Sequence, residues 1–526
     1  MEGASCTNEE LLRAIRHLST FREGTGQRRR VNYANLDVEE FGSVYESLLD
    51  FHPQVSLDPP AFDLVVGGER KQTGSYYTPP DLVRELINSA LVPVMEERLS
   101  GAKDKEDKEK ALLGLRVCDP AAGSGHFLLA AARRIARELA HVRSGEDEPS
   151  PGEYREALRD VIRNCIYAVD KNPLAVDLCK VALWIEGHNA GLPLSFLDNH
   201  IKCGDSLVGV ADLAVLSEGI PDDAYKPVTG DDKSAAKEYR KRNQEEKKKE
   251  QQLSLGGPAE HEGVPATLAE DFETLGLLAE RTPDEVQAKE DLYESLRGRA
   301  TDWWKMKVAC DLWTAAFFMP LQPEDALNLE RVPTTGTIRR HLESNSAHPT
   351  LIGQAVEIAH KHAFFHWPLE FPDIFEQDGF DVVLGNPPWD QLQFREQEFF
   401  TSTRSDIARA SNVAARKRMI EILKKEDSEL FNSYGAARYE VDAARRFMQY
   451  SSRFPLTAHG RINLYGLFAE TSRNLTNRSG RVGCIIPTGI ATDDSAKLFF
   501  QDLMRSNSLI SLYDFENREQ LFSDVD

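Results

Sequence analysis

The sequence of 526 residues lacks any run that is apolar and long enough to cross a bilayer, and residues 1–5 lack a signal-peptide pattern. Its seven cysteines are scattered along the chain and form no Cys-x-x-Cys pair. Neither a zinc site nor a disulfide framework is therefore predicted, and we expect no bound metal and no membrane partner. The ordinary interpretation is a cytoplasmic protein whose cysteines are reduced.

Positive charge is also scarce, because 63 lysines and arginines face 85 aspartates and glutamates, which gives a net charge of −22. This balance argues against a protein that coats nucleic acid through its overall charge, although a local basic surface can still bind it. Hydrophobic residues make up 41% of the chain, which is enough for sizeable cores. The length suits several domains or one large domain with insertions.

An Asn-Pro-Pro-Trp run at residues 386–389 follows an apolar segment, residues 380–385, that is predicted to be a buried strand. The ends of such strands are where α/β sheets bind ligands. The amide of Asn386 and the carbonyl of Pro387 can both accept hydrogen bonds from one exocyclic amine, and the ring of Trp389 can stack on a planar base. The run predicts a pocket for an extruded adenine whose amine is alkylated. A plain proline turn stays open for the motif alone.

A second motif, at residues 116–127, predicts a strand, a glycine-rich turn and a helix. Its glycines let the backbone approach a ligand, and the helix N-terminus offers N–H groups to an anion. The next predicted strands end near Asp170 and Asp205, and Asp170 is placed to bind a ribose diol. Each acid alone could be a helix cap or turn residue. Together with Asp119, they favour one shared site at successive strand ends.

The order of these motifs resembles the gamma class of adenine-N6 DNA methyltransferases, and more narrowly the methylase part of type IIG restriction–modification enzymes and the large methylases of BREX and DISARM phage defence. The resemblance covers about residues 36–526, apart from a long insertion. It implies a Rossmann-like α/β sheet, S-adenosylmethionine as cofactor and double-stranded DNA as substrate. The implied function is site-specific methylation of adenine N6 in a restriction–modification or phage-defence system, with other subunits of a defence complex as further partners.

The resemblance implies a role for each residue of the cofactor site. Asp119 and Gly123 would lie beside the methionine part of the cofactor, Asp170 would bind its ribose hydroxyls, and Asp205 would accept its adenine amine. The other residues expected at the cofactor are Tyr77, Thr78, Pro79, Ala121, Gly125, Phe127, Lys171, Ser206 and Asn386.

The target adenine would be held by the run Asn386, Pro387, Pro388 and Trp389. Trp389 stands where many relatives carry Tyr or Phe, a change that stacking tolerates. Phe522, in a later motif, is expected to supply a second ring against the flipped base. No histidine is needed for this chemistry, so His366 is expected to be structural.

The predicted organisation has four parts: residues 1–70 are an N-terminal helical region, 71–211 the cofactor half, 212–375 a helical insertion, and 376–526 the catalytic half. Within the insertion, residues 231–252 are expected to be an exposed helix or disordered, because they show no apolar stripe. The aromatic-rich helix at 303–318 is expected to be core, with a base-stacking surface as the alternative. Residues 511–515 are predicted to be a late strand.

One segment reverses the charge of the chain, because residues 404–425 hold seven cations against two acids. Since it closely follows the 386–389 run, its cations are expected to line the path of the DNA phosphates. A solvated helix face stays open as the alternative. The residues expected to bind DNA are Arg404, Arg409, Arg416, Lys417 and Arg418.

Two other functions stay open. An Asn-Pro-Pro-aromatic site can hold any planar amide or amine, so an RNA base or a protein glutamine is an alternative substrate. The other is a noncatalytic subunit that binds S-adenosylmethionine or DNA. The family places target recognition after the catalytic half, which is predicted to end before such a domain. We therefore expect the isolated chain to bind S-adenosylmethionine with little sequence-specific DNA binding or methylation, unless the insertion provides recognition.

Overall fold

The computed structural model describes residues 7–22, 27–31, 51–57, 60–66, 78–253, 263–323, 331–344, 346–401 and 403–516. The chain divides into two compact units, residues 1–67 and 68–526. No helix in these described ranges is long and apolar enough to cross a membrane.

The first unit contains the predicted helix, α1 (Asn8–Ser19), which begins at a capping box: the Thr7 hydroxyl accepts from the Glu10 N–H, and the Glu10 carboxylate accepts from the Thr7 N–H. The unit also contains two antiparallel strand pairs, which differ from the prediction that residues 1–70 are helical. The alternation of apolar and polar residues over 51–57 is a pattern typical of a strand. The strands are β1 (Thr20–Arg22), β2 (Arg28–Arg30), β3 (Phe51–Leu57) and β4 (Pro60–Val66).

The second unit is built on a parallel sheet of five strands in the order β7-β6-β5-β8-β9. Its strands are β5 (Val117–Asp119), β6 (Ile166–Asp170), β7 (Ile201–Cys203), β8 (Phe380–Gly385) and β9 (Thr476–Cys484). Every side chain of β5 and β8 is buried, which explains why these strands appear in the sequence as short apolar runs without alternation. The predicted Rossmann-like α/β fold is confirmed.

Three helices precede the first strand of this sheet, and three more connect its first three strands. A π-helical turn at Ile87–Leu91 joins the first two helices. The helices are α2 (Pro80–Leu86), α3 (Val92–Ser100), α4 (Lys105–Leu113), α5 (His126–Ser144), α6 (Pro151–Cys165) and α7 (Pro173–Glu186).

The segment between β7 and β8 is helical and shares one hydrophobic core with the later part of the chain. Trp303, Trp313 and Phe317 are buried in that core, which confirms the core interpretation of the aromatic-rich helix. Its helices are α8 (Ala214–Glu218), α9 (Lys233–Leu253), α10 (Ala266–Leu277), α11 (Pro283–Leu296), α12 (Asp302–Ala315), α13 (Thr335–Ser344), α14 (Pro349–Lys361), α15 (Trp367–Glu370) and α16 (Pro372–Glu376).

The charged helix α9 differs from the prediction, because it does bury one face. Ala235, Ala236, Tyr239 and Asn243 all lie in the interior. The buried Asn243 side chain accepts from the Thr335 N–H at 3.0 Å and donates to the Ile220 carbonyl at 2.9 Å. Two alanines, a tyrosine and a fully hydrogen-bonded amide at helical spacing are enough to pack a helix, although they form no conventional apolar stripe.

Seven helices follow β8 in the described chain. Residues 511–516 form no strand, so the strand predicted at 511–515 is wrong. Their side chains are exposed, Phe515 to 66%, and no described strand lies beside them to supply backbone partners. The helices are α17 (Glu396–Thr401), α18 (Ser405–Ala408), α19 (Val413–Glu426), α20 (Ser428–Tyr450), α21 (Leu464–Leu475), α22 (Gly489–Thr492) and α23 (Lys497–Arg505).

A buried carboxylate ties the helical insertion to the cofactor half. Glu280 accepts from Lys289 Nζ at 2.6 Å and from the Phe196 N–H at 3.2 Å, and it lies 3.3 Å from Arg163 Nε. The side chains of Glu280 and Lys289 are each only 1% exposed. Because both charges are withdrawn from water, each depends on the other for stabilisation.

We expect Glu280→Ala to destabilise the chain by about 3–5 kcal/mol, because it leaves the Lys289 ammonium buried without its counter-ion. Thermal or urea unfolding measures the loss. The double variant Glu280→Leu/Lys289→Met removes both charges and is expected to recover much of it. Glu106→Ala breaks only an exposed pair with Lys110 and should leave the midpoint unchanged. Equal effects of the two single alanine variants would contradict this account.

Candidate active site

The parallel sheet brings the predicted acids and the Asn-Pro-Pro-Trp run to one edge. Asp119 and Asp170 are the last residues of β5 and β6, Asp205 follows β7 by two residues, and Asn386 follows β8 directly. Neighbouring strands β7, β6, β5 and β8 are all parallel, so their carboxyl ends share one side of the sheet. The sequence-predicted residues therefore form one constellation.

The glycine-rich turn packs closely beside Asp119. The Asp119 carboxylate accepts from the Ala121 N–H at 2.9 Å. Gly125 has φ +86° at the start of α5, and a Cβ there would come within 2.7 Å of the Cys179 sulfur, so only glycine fits. Phe127, in the first turn of α5, is buried. The turn is thus packed tightly enough to hold the backbone N–H groups in place.

The environment of Asp119 favours its neutral form. Burial is the main cause that raises the pKa of this carboxyl to about 7; the Ala121 N–H opposes the shift, and the charge of Asp170 adds to it. Gly385 at the end of β8 lies so close that a Cβ would be 2.8 Å from the Asp119 oxygen. The carboxyl is therefore enclosed between two strand ends.

Asp170 is held by two backbone donors, one for each of its oxygens. Gly123 N–H donates to Oδ2 and Asn172 N–H donates to Oδ1, both at 2.8 Å. Burial raises the pKa of Asp170, while these two donors oppose the shift. Since each carboxylate oxygen has two lone pairs, each can accept one further hydrogen bond. This arrangement suits a pair of adjacent hydroxyl groups.

One carboxylate oxygen of Asp205 accepts from Lys171 Nζ at 2.8 Å, and the other accepts from the Leu207 N–H at 3.0 Å. The Ser206 hydroxyl is already used, because it donates to the Pro120 carbonyl at 2.6 Å. Ser206 thus braces the turn beside Asp119, and Lys171 supplies a cation to Asp205.

Asn386 has one satisfied and one unsatisfied end. Its Nδ2 donates to the Thr78 hydroxyl at 3.1 Å, whereas its Oδ1 is buried and has no hydrogen-bond partner among the described residues. Pro387 is buried and Trp389 is half-buried. The indole N–H of Trp389 donates to the Ile485 carbonyl at 3.3 Å, and its ring packs on the cluster that contains Tyr465. The run is therefore held at Asn386 by Thr78 and at Trp389 by the Ile485 carbonyl and the cluster that contains Tyr465.

Some predicted site residues fall elsewhere or cannot be placed. Pro388 is half-buried within the run, and Pro79 stands at the N-terminus of α2. Tyr77 and Phe522 lie outside the described residues, so their expected roles stay predictions. Among the residues that are described, no group of three or more His, Cys, Asp or Glu could hold a metal ion.

The basic segment forms α18 and α19, and its cations differ in their exposure. Arg409, Lys417 and Arg418 are exposed, and Arg404 is paired with Asp406 at 2.9 Å. Arg416 differs from the prediction of a DNA-binding residue, because only 8% of the residue is exposed and its guanidinium faces Glu396 at 3.8 Å. Its position on the inner face of α19 makes it a packing residue with no path to a DNA phosphate.

Arg453 contacts the loop of the candidate site, although no sequence motif indicated it. Its guanidinium donates to the carbonyls of Ser206 and Gly209, in the loop that begins at Asp205. Burial lowers its pKa to about 10, and the charge of Asp205 opposes that shift. More than 240 residues separate the two partners in sequence, so only the fold reveals the contact.

Comparison with known proteins gives two family matches to this chain. A family described as N-6 DNA Methylase matches residues 38–208, and a family described as Eco57I restriction-modification methylase matches residues 298–426 and 436–522. A protein of Methanocaldococcus jannaschii, named as a proposed type II restriction enzyme and methyltransferase, is 23% identical over 399 residues. That alignment covers 68% of this chain and 30% of the relative, so the chain spans under a third of the relative's length.

The pKa of Asp119 predicts a pH effect on stability. Because the folded-state pKa lies above the ordinary value of 3.8, the folded chain keeps a proton that the unfolded chain releases, and stability falls as pH rises from about 4 to about 7. Asp119→Asn removes this loss, so its stability advantage over wild type should grow from pH 5 to 7 by at most about 1.4 kcal/mol per pH unit. Unfolding midpoints from pH 5 to 8 measure it; a pH-independent difference would contradict the prediction.

Proposed function

We propose that the chain is an N-6 adenine DNA methylase of a restriction–modification system, which transfers a methyl group from S-adenosylmethionine to N6 of adenine in a specific site of double-stranded DNA. The observation that carries the proposal is the buried Asn386 oxygen, which lacks a partner among the described residues. A buried polar atom without a hydrogen bond is costly, and a ligand that supplies the missing donor would remove that cost. The exocyclic amine of adenine is a donor that fits it.

The cofactor proposal is supported by the donors and acceptors along the sheet edge. The two Asp170 oxygens can accept the two ribose hydroxyls of S-adenosylmethionine, and Asp205 can accept its adenine amine. When bound, S-adenosylmethionine supplies an electrophilic methyl group. The chain's own contribution is to hold these groups in a cleft whose acids are kept in place by backbone N–H donors.

The Asn386 side chain is oriented by Thr78. Because Nδ2 donates to the Thr78 hydroxyl, the amide oxygen is turned away from that contact and is available to a substrate amine. We propose that the Pro387 carbonyl accepts the second proton of the same amine. Two acceptors on the two N–H bonds direct the nitrogen lone pair toward the methyl group, so catalysis rests on position more than on acid–base chemistry.

The target base and the DNA backbone are proposed to contact different elements. Trp389 stacks on the flipped adenine while its N–H remains on the Ile485 carbonyl, a contact that fixes the ring edge. The exposed Arg409, Lys417 and Arg418 are proposed to meet phosphates. Since the relative's name couples restriction with methylation, we propose that the mark protects DNA within such a system.

Asp170→Ala should weaken binding of S-adenosylmethionine at least about tenfold, because it removes two charge-assisted hydrogen bonds to the ribose. Isothermal calorimetry measures the affinity, and a thermal melt confirms that the variant is folded. Asp198→Ala is the matched control, since that exposed acid pairs with Lys180 and is not among the residues proposed to bind the cofactor. Unchanged affinity in the Asp170 variant would remove this residue from the cofactor site.

Asn386→Ala should reduce methyl transfer by about 10²-fold or more while cofactor affinity stays near wild type, because the residue acts on the target amine in the chemical step. Single-turnover transfer of labelled methyl to duplex DNA measures the rate. Trp389→Tyr serves as a comparison within the same run and should keep much of the activity, because a smaller ring still stacks. An Asn386 variant that keeps about a tenth of the wild-type rate would refute this mechanism.

A further inference from the structure

The loop that carries Asp205 is paired along its length with residues 363–367 from the end of the insertion. Asp205 N–H donates to the Ala363 carbonyl at 2.7 Å, Phe365 N–H to Val208 at 2.8 Å, and Trp367 N–H to Val210 at 3.1 Å. The pairing leaves no space for a side chain at Gly209, which faces the Phe365 backbone. The position of Asp205 therefore depends on where residues 363–367 are held.

His366 lies at the centre of this pairing and links the loop to helix α12. The Val210 N–H donates to His366 Nδ1 at 3.0 Å, so Nδ1 must be the unprotonated nitrogen. Nε2 then carries the proton and donates to Asp311 Oδ1, also at 3.0 Å. The other oxygen of Asp311 is 2.6 Å from Lys307 Nζ. The carboxylate of α12 thus selects the tautomer that can accept from the loop.

The burial of this chain of contacts makes it rigid. The side chains of His366 and Asp311 are 2% and 0% exposed, so water cannot replace either partner. Burial lowers the pKa of His366, although Asp311 opposes the shift. A neutral imidazole with one donor and one acceptor is the form that satisfies both neighbours.

We propose that Asp311 and His366 are positioning residues: through the Val210 N–H they set the geometry of the Asp205 loop, and so determine how strongly the chain selects the 6-amino group of its methyl donor. Neither residue is proposed to touch the cofactor or the DNA. The proposal rests on the proposed function, because it assumes that Asp205 accepts the cofactor's adenine amine. It assigns part of cofactor selection to the helical insertion.

The test measures selectivity, which a purely stabilising role would not change. Calorimetry gives the affinities of the chain for S-adenosylhomocysteine and for S-inosylhomocysteine, which carries an oxygen in place of the 6-amino group. Wild type should prefer the adenosyl ligand, and Asp311→Asn should reduce that preference about tenfold or more, the value of one hydrogen bond to a charged group. Asp231→Asn is the matched control, because it also alters a fully buried carboxylate paired with a cation, Arg446, and should leave the ratio unchanged.

A second variant keeps the test decisive if Asp311→Asn fails to fold. In His366→Asn the amide oxygen can take the place of Nδ1 and accept from Val210, but the contact with Asp311 is lost. The same reduction in the ratio is expected there. A wild-type ratio in a folded Asp311 or His366 variant overturns the inference and leaves the proposed function intact. If the wild-type chain binds neither ligand, the inference and the proposed function are both overturned. If it binds the two ligands equally but still transfers methyl groups, only the inference is overturned.

Discussion

Backbone N–H groups that donate to buried and partly buried carboxylates hold the candidate site together. Asp119 accepts from Ala121, Asp170 from Gly123 and Asn172, and Asp205 from Leu207. Removing a carboxylate from water costs free energy, and each of these donors offsets part of that cost. The donors come from the turns that follow parallel strands. The strand order therefore decides which acids can be buried together, and the charge interactions among them follow from it.

The helical insertion contributes to the site as well as to the core. It is tied to the cofactor half by the buried Glu280 and Lys289 pair, and it reaches the Asp205 loop through residues 363–367. The catalytic half shares the same core, in which Arg446 of α20 donates to the Phe317 carbonyl that follows α12. A change in the packing of the insertion can thus reach the cleft without any contact between the insertion and a ligand.

Much of this arrangement could be predicted from the sequence, because it depends on local patterns. Short apolar runs ending in Asp119, Asp170 and Asn386 marked the strands, and the glycine-rich turn marked the start of α5. Contacts between distant segments could not be predicted in this way. Two examples are the hydrogen bond between Asn386 and the Thr78 hydroxyl and the contact of the Arg453 guanidinium with the Asp205 loop. Both contacts form only in the complete fold.

The predictions that differ from the structure also failed because they depend on contacts between distant segments. A count of cations in residues 404–425 does not say which face of α19 is buried, so Arg416 was included with the surface residues. Helix α9 packs through two alanines, a tyrosine and a hydrogen-bonded asparagine, which do not form the stripe of apolar residues that predicts a packed helix. The apolar residues of 511–515 suit a strand, but a strand also needs a neighbour, and the described sheet offers none there.

The most direct test of the central claim is to find where the methyl group goes. The chain, in stoichiometric amount, is incubated with duplex DNA and S-adenosylmethionine that carries a trideuterated methyl group, and the digested nucleosides are analysed by mass spectrometry. The account predicts label on N6 of deoxyadenosine and none on cytosine, with RNA and protein glutamine unlabelled in parallel reactions. Label on cytosine, RNA or glutamine, or label in DNA at any position other than adenine N6, would contradict it.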